Sequence, residues 1–586
     1  MSDGSSQTAA SGATRNARSP RPLVRQPGAS VGLLAGMAGA AVALAFGELM
    51  DGLFDSIPSL VVAVGEALVD YSPDWAVKLS IELFGEKDKA VLAIGIVGVS
   101  LVIGGLLGTT AMWQRSHRAP LAGFAAFALI GGWTAARNPM SPFIGSWIVA
   151  LCAAALGAGT LLLLLRFAPH ARAAAKSATS ATTTAASPDE PDAGPPGEST
   201  APEPLDTSRR AFLVGVGGAG VAAVGLVALG RGVRGPSAAE TARASIDLSG
   251  ASPPTTAAPA GATATPSATT AAQRSLMSQV AALDTLDEVA GISSYLTPND
   301  DFYRIDTALT VPQVDPANWS LSFTGMVDNP YELTLDDILA MELSEHVITL
   351  SCVSNRVGGR LVGNATWTGI PLVTLLERAG VQTGADQVVG RSVDDWTAGF
   401  PTDLLYDGRN AILAVGMNGE PLPTSHGFPA RLVVAGLYGY VSAVKWIEEI
   451  NLTTWDGFDG YWVPRGWSKR GPMKTQSRID VPDGGDRLAP GVPAAVAGIA
   501  WAPTRGISGV ELRVDDGPWQ RCELGEALGN ESWVQWHLAW TPTPGDHTLQ
   551  VRAIDGTGMT QPQGPKDPRP DGAEGWHRIN VRVDEA

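Results

Sequence analysis

Four long apolar runs crowd the first third of the chain, at roughly Val31–Met50, Ala90–Met112, Pro120–Thr134 and Phe143–Phe167. Nothing else in the sequence limits the fold as strongly. An apolar helix of about 20 residues is the unit that crosses the roughly 30 Å hydrocarbon core of a bilayer, and a chain carrying several of them is not one soluble domain. The third run is the shortest. Arg15, Arg18, Arg21 and Arg25 precede the first run, Arg115 and Arg118 lie between the second and third, and Arg166, Arg172 and Lys176 follow the fourth, whereas the Asp51–Lys89 connection is acidic. The positive-inside rule therefore predicts a cytoplasmic basic tail over 1–30 and four transmembrane helices over 31–167, with both ends of that unit in the cytoplasm.

Residues 168–207 are rich in Ala, Thr, Pro and acidic residues with almost no aromatics, and read as a disordered linker. Then comes Ser208-Arg209-Arg210-Ala211-Phe212-Leu213 and a Gly/Ala-rich apolar stretch to about 231. This resembles a twin-arginine export signal set inside the chain; the alternative is an ordinary fifth transmembrane helix with arginines on its cytoplasmic side. Both readings put the chain beyond Gly235 outside the cytoplasm. The Gly215-Val-Gly217-Gly-Ala-Gly220 match to a dinucleotide fingerprint lacks a preceding strand and is rejected. Residues 232–280 read as a second disordered spacer.

Charge separates the two halves: 17 Lys+Arg stand against 16 Asp+Glu up to Gly235, and 24 against 42 beyond it. So acidic an exterior portion excludes nucleic acid as a partner, because phosphate binding needs clustered cations. Three cysteines, Cys152, Cys352 and Cys522, exclude a four-thiolate metal or cluster site. No histidine sits centrally in an apolar run, so no haem is expected in the helices. Residues 281–482 mix β-branched strands with helical segments such as Leu372–Ala379 and read as an α+β domain. Residues 483–586 carry short strands, among them Ala494–Trp501, between Gly/Pro/Asp turns, and read as an immunoglobulin-like β-sandwich.

One segment stands out chemically: Val347-Ile-Thr-Leu-Ser-Cys352-Val-Ser-Asn355-Arg356-Val-Gly-Gly-Arg360. A strand-like run delivers a lone cysteine into a Gly/Asn/Arg loop. Such a cysteine is either a small buried hydrophobe or, on an oxidising side and without an intrachain partner, a ligand for a soft metal.

Ser351-Cys352-Val353-Ser354-Asn355-Arg356, Trp367-Thr-Gly-Ile-Pro-Leu372, His426-Gly-Phe-Pro-Ala-Arg431, Ser442-Ala443-Val444-Lys445-Trp446 and Lys474-Thr-Gln-Ser-Arg-Ile479, in this order, resemble the sulfite oxidase family of molybdenum enzymes. Ala500-Trp501-Ala-Pro and Gly575-Trp-His577 resemble that family's dimerisation domain, which suggests a homodimer. The resemblance implies a Mo-molybdopterin cofactor, one molybdenum on one pyranopterin, with Cys352 as the protein thiolate on the metal. It implies Tyr303, Arg304, Asn355, His426, Arg431, Ser442, Ala443, Val444 and Lys445 as cofactor-binding residues. Arg356 and Tyr461 are then catalytic candidates beside Cys352.

Two departures bear on substrate. Val357 stands where animal and plant sulfite oxidases have a second arginine, and Asp306-Thr307-Ala308 stands where they have Arg-Asn-His. Fewer cations near the metal disfavour a dianion. The expectation is a multi-pass, membrane-tethered oxidoreductase with its catalytic domain on the extracytoplasmic side, transferring an oxygen atom to or from a small sulfoxide or N-oxide. Electrons would pass through an external electron-transfer protein or a quinone-linked partner. Sulfite oxidation and a cofactor-free binding module are the alternatives.

Overall fold

The computed structural model describes residues 29–54, 56–73, 76, 83–84, 88–114, 116–139, 141–167, 207–251 and 276–585. The basic tail over 1–30 and the linker over 168–207 lie almost wholly outside the described residues. Two compact units emerge, one drawn from Met1–Met50, Leu92–Trp133 and Trp147–Leu229, the other from Asp51–Val91, Thr134–Ser146 and Gly230–Ala586.

The first unit is helical. Its elements come from α1 (Ala29–Leu53), α3 (Asp88–Gln114), α4 (Arg118–Arg137), α5 (Phe143–Arg166) and α6 (Thr207–Val233); α2 (Leu60–Tyr71) belongs to the second unit. Five stretches are long and apolar enough to cross a membrane: Ala29–Leu53, Lys89–Gln114, Arg118–Arg137, Phe143–Arg166 and Arg210–Arg243. Small residues bring backbones together. A Cβ at Gly36 would collide with the Gly104 carbonyl oxygen, so α1 and α3 touch main chain to main chain, as membrane helices without a hydrophobic driving force tend to do.

The sequence reads Asp51–Lys89 as an acidic connection, but it contains α2. Ser59 caps that helix by accepting from the Val61 N–H at 3.2 Å, and Leu60, Val61 and Ala63 are buried. The spacer expected over 232–280 is also partly folded. Ser237 and Glu240 form a capping box for α7 (Ala238–Arg243), Ala239 is buried in the main core, and Arg243 binds Glu420 at 2.9 Å. A further short helix, α8, covers Leu276–Val280. Residues 252–275 lie outside the described residues.

The α+β domain is built on two sheets. One has the order β2 (Tyr331–Thr334), β1 (Ser320–Gly325), β10 (Ile447–Thr453), β5 (Gln387–Ser392), β6 (Thr397–Pro401), with β1 and β10 parallel. The other has the order β3 (Ser344–Ser351), β4 (Val362–Pro371), β7 (Ala411–Met417), β8 (Glu420–Pro421), and β9 (Arg431–Val434) pairs with β7. Strands β7 and β9 are buried along their whole length and read as continuous apolar runs. Between the strands run α9 (Leu335–Leu339), α10 (Leu372–Ala379) and α11 (Gly439–Ser442). Helix α10 buries Leu372, Leu375, Leu376 and Ala379, the spacing of one helical face, and stops at Gly380, whose φ of +71° a residue with a Cβ would resist.

The C-terminal domain is a β-sandwich. Its sheets have the orders β11 (Gln476–Val481), β13 (Ala494–Trp501), β17 (Val534–Trp540), β16 (Glu523–Leu524) and β12 (Arg487–Leu488), β19 (His577–Val583), β18 (Gly545–Asp555), β14 (Ile507–Val514), β15 (Gln520–Arg521). Val496 and Trp536 of one sheet and Leu512, Leu549 and Val551 of the other share one core.

Polar contacts hold the sandwich to the α+β domain. Tyr295, fully buried, donates to the Ser532 hydroxyl at 3.0 Å and accepts from the Leu528 N–H at 2.8 Å. Arg478 of β11 donates to the Gly359 carbonyl at 2.9 Å, and the His577 ring of β19 fills the space where a Cβ at Gly358 would stand. Gly358 also has φ +76°. Gly358→Ala is therefore expected to cost about 1–3 kcal/mol, by overlap and by backbone strain, and to unseat the loop from the sandwich. Chemical denaturation of the purified variant checks this; an unchanged midpoint would count against the seating.

Candidate active site

Strand β3 ends at Ser351, so Cys352 is the first residue of the loop between β3 and β4. The loop closes on itself: the Cys352 N–H donates to the Leu361 carbonyl at 2.9 Å, the Asn355 N–H to the Cys352 carbonyl at 3.1 Å, and the Leu361 N–H to Asn355 Oδ1 at 3.0 Å. Cys352 Sγ lies 2.9 Å from the Ser354 hydroxyl. Cys352 is deeply surrounded by protein yet partly accessible, and burial pushes its thiol up.

Tyr303 lies within electrostatic reach of both Cys352 and Arg431, and burial raises its hydroxyl pKa. Phe302 backs it, stacked on Tyr303 at 5.3 Å and edge-on to Trp367 and His426, each at 5.7 Å. Arg431 opens β9. Its guanidinium donates to the His426 carbonyl at 3.0 Å and lies 5.0 Å from the Trp367 ring centre. No carboxylate reaches it within ion-pair distance among the described residues. Burial alone pushes it down to about 10. A buried cation in this state is costly unless an anion joins it.

His426 and Lys445 complete this wall. His426 Nε2 donates to the Asn299 carbonyl at 3.0 Å, which fixes the tautomer. Gly427, at φ +113°, lets the chain turn between them: a Cβ there would stand 3.1 Å from both Arg431 Cβ and Lys445 Cβ. Lys445 pairs with Asp306 at 2.7 Å, and burial outweighs that pairing to push it down to about 8. Asp306 also binds Arg304 at 2.8 Å and Lys89 at 2.9 Å. Burial would raise the Asp306 carboxyl, but Lys445, Arg304 and Lys89 outweigh it and hold it well below the usual carboxylate range.

The model of the oxidoreductase molybdopterin binding domain matches residues 308–462, which carry the Cys352 loop, His426, Arg431 and Lys445. An uncharacterized oxidoreductase, YuiH, of Bacillus subtilis (strain 168) is 34% identical over 163 residues, 28% of this chain and 79% of that protein. The chain belongs to the sulfite oxidase family of molybdopterin-dependent oxidoreductases. The sulfite oxidase of Arabidopsis thaliana is 27% identical over 355 residues, 50% of this chain and 89% of its own. The sulfane dehydrogenase SoxCD of Paracoccus pantotrophus, a solved structure, is 22% identical with a TM-score of 0.44, covering 50% of this chain and 85% of that one.

The cofactor of this molybdenum-dependent oxidoreductase is Mo-molybdopterin, and the residues present fit it. Cys352 offers a soft sulfur donor, and the buried Arg431 guanidinium has carbonyl partners but no carboxylate within ion-pair distance among the described residues, a state suited to an anionic group.

The remaining family-derived candidates fall in three places. Ser442 and Ala443 end the short helix α11, where the Ser442 hydroxyl donates to the Tyr438 carbonyl at 3.3 Å, and the Val444 carbonyl accepts from the Leu432 N–H at 2.9 Å. Asn355 is spent on closing its own loop, and Arg356 is exposed on that loop. Tyr461 and Lys445 both lie within the electrostatic reach of Asp394, and the Arg465 guanidinium lies 3.7 Å from the Tyr461 ring centre. Sequence reasoning missed Lys89, Glu66, Asp70, Asp394 and Tyr438; no motif marks them.

Burial pushes His426 down to about 4, with Arg431 and Lys445 adding to the shift, and pushes His346 and His577 down to about 4 as well. In the unfolded chain these imidazoles take a proton near pH 6.5. As pH falls from about 6.5 to about 4 the unfolded state binds more protons, and stability declines. Urea unfolding across that range should show a falling midpoint, with a shallower fall in His426→Gln; a flat profile would contradict the burial of these rings as neutral groups.

Proposed function

We propose that the protein is a membrane-tethered enzyme that performs oxygen-atom transfer at a molybdenum centre ligated by Cys352, with its catalytic domain on the extracytoplasmic side. The observation that carries the proposal is the buried Arg431 guanidinium, which donates to the His426 carbonyl and has no carboxylate within ion-pair distance among the described residues, in the same domain as the loop that Cys352 begins. The bound cofactor supplies two-electron oxygen-atom chemistry, with electrons exchanged one at a time through a separate redox partner. Cys352 provides the protein sulfur. Arg431, His426 and Lys445 hold the phosphate and pterin, and Tyr303, Arg304, Asn355 and the Ser442–Lys445 backbone complete the cradle. The Tyr461 hydroxyl and the Arg356 guanidinium orient the substrate oxygen.

A neutral sulfoxide or N-oxide is the proposed substrate class. Val357 is apolar and packs beside Gly575, and Asp306 has its negative charge committed to three cations. Electrons come from an external electron-transfer protein or a quinone-linked partner. Five apolar stretches of membrane-crossing length and the arginines flanking them support the tether and its orientation. The β-sandwich is read as immunoglobulin-like and the assembly as a homodimer, both by family resemblance.

Cys352→Ser is expected to fold but to lose nearly all molybdenum and activity; retained metal and turnover would refute the ligand assignment. A panel of sulfite, sulfoxides and N-oxides with a dye as electron donor or acceptor should turn over the neutral oxides fastest, and a preference for sulfite would overturn the substrate class. Replacing Arg209-Arg210 by Lys-Lys should leave the catalytic domain in the cytoplasm; unchanged surface labelling would favour a plain fifth helix.

A further inference from the structure

The stretch Asp51–Lys89 reads from the sequence as an acidic connection, yet its last residue, in the first turn of α3, reaches Asp306 beside Lys445 and Arg304. Lys89 Nζ binds Asp306 Oδ1 at 2.9 Å and also donates to the Asp306 and Ala308 carbonyls at 3.0 and 2.6 Å. Three acceptors fix a side chain that would otherwise be flexible. Further upstream, Glu66 of α2 accepts from the Leu309 N–H, and Asn138 donates to the same carboxylate at 3.2 Å. Asp70 of α2 lies within electrostatic reach of Tyr461 and Arg465. All of these residues belong to one compact unit.

We propose that Lys89, at the start of α3, is a positioning residue of the molybdenum-cofactor site that acts through Asp306 on Lys445 and Arg304. The inference rests on the cofactor reading above and extends it to a stretch of chain outside the molybdopterin-binding domain. The Asp306 side chain is 5% exposed and shares its charge among Lys445, Arg304 and Lys89. An anionic group arriving at Lys445 and Arg304 competes with Asp306 for them. A buried carboxylate stripped of its partners is strongly unfavourable. With Lys89 locked in place by two carbonyls, Asp306 keeps a cation of its own, and Lys445 and Arg304 are released to the incoming anion. Without Lys89, Asp306 must retain one of the other two, and the cofactor loses that contact.

The test uses the full chain in wild-type form and as Lys89→Ala, Lys89→Arg, Asp306→Asn and the double variant Lys89→Ala/Asp306→Asn. Backbone hydrogen exchange over 305–309 reads the latch and requires no cofactor. Molybdenum and pterin per chain after gel filtration read the consequence. Lys89→Ala should raise exchange and lower cofactor retention by about tenfold each, Lys89→Arg should restore most of both, and removing Lys89 from the Asp306→Asn background should add nothing to the loss of cofactor. Unchanged exchange and retention in Lys89→Ala, or an equal further loss in both backgrounds, would overturn the proposal. A wild-type chain that never carries molybdenum would sink the cofactor reading, while the exchange measurement would still decide whether Lys89 holds Asp306.

Discussion

A guanidinium buried beside Trp367 with only carbonyl partners is the feature on which the rest of the site depends. Arg431 opens β9 and is fixed by a strand that is buried throughout, so the domain holds a charge where it gains nothing from water. Such a residue is a liability to folding unless an anion completes it. Gly427 lets the chain turn tightly between His426 and Arg431, His426 stands there as a neutral ring, and Lys445 is held in an ion pair with Asp306 that an anion can exchange. The domain core is thus a rigid frame for a positive charge that has no carboxylate partner among the described residues.

The thiol is positioned with equal care, by a second domain. Cys352 comes directly after β3, but the loop it begins is seated by Arg478 on the Gly359 carbonyl and by His577 against Gly358, residues from the two sheets of the sandwich. A loop rich in Gly has little rigidity of its own. The sandwich supplies it, which gives the C-terminal domain a direct part in holding the site.

Local pattern makes some of this legible in the sequence. Leu372–Ala379 reads as a helix because its leucines recur on one face and a glycine comes next, and Ala494–Trp501 reads as a strand from its apolar run between turns; both boundaries agree with the structure. The order of Cys352, His426, Arg431 and Lys445 along the chain carries the family resemblance, and the fold gathers the last three into one wall. Long-range partners are not legible. Lys89 lies 217 residues from Asp306, and within an acidic stretch it looks like any flanking charge at the start of an apolar helix. Helix α2 escapes notice because its glutamate and aspartate give the stretch a loop's composition, while its apolar face and Ser59 cap decide the outcome. Asp306 reads as the loss of a cation, but the fold surrounds it with three. The Ala238–Arg243 helix reads as spacer because one buried alanine and a capping box are faint signals amid Ser, Thr, Pro and Ala.

The central claim is that this fold presents one protein sulfur to a molybdenum carried on a single pyranopterin. X-ray absorption at the molybdenum edge of the purified full-length protein tests it most directly. The account predicts a dithiolene pair of sulfur neighbours and one further sulfur, from Cys352. A dithiolene pair alone, or the two dithiolene pairs of a double-pterin centre, would contradict it.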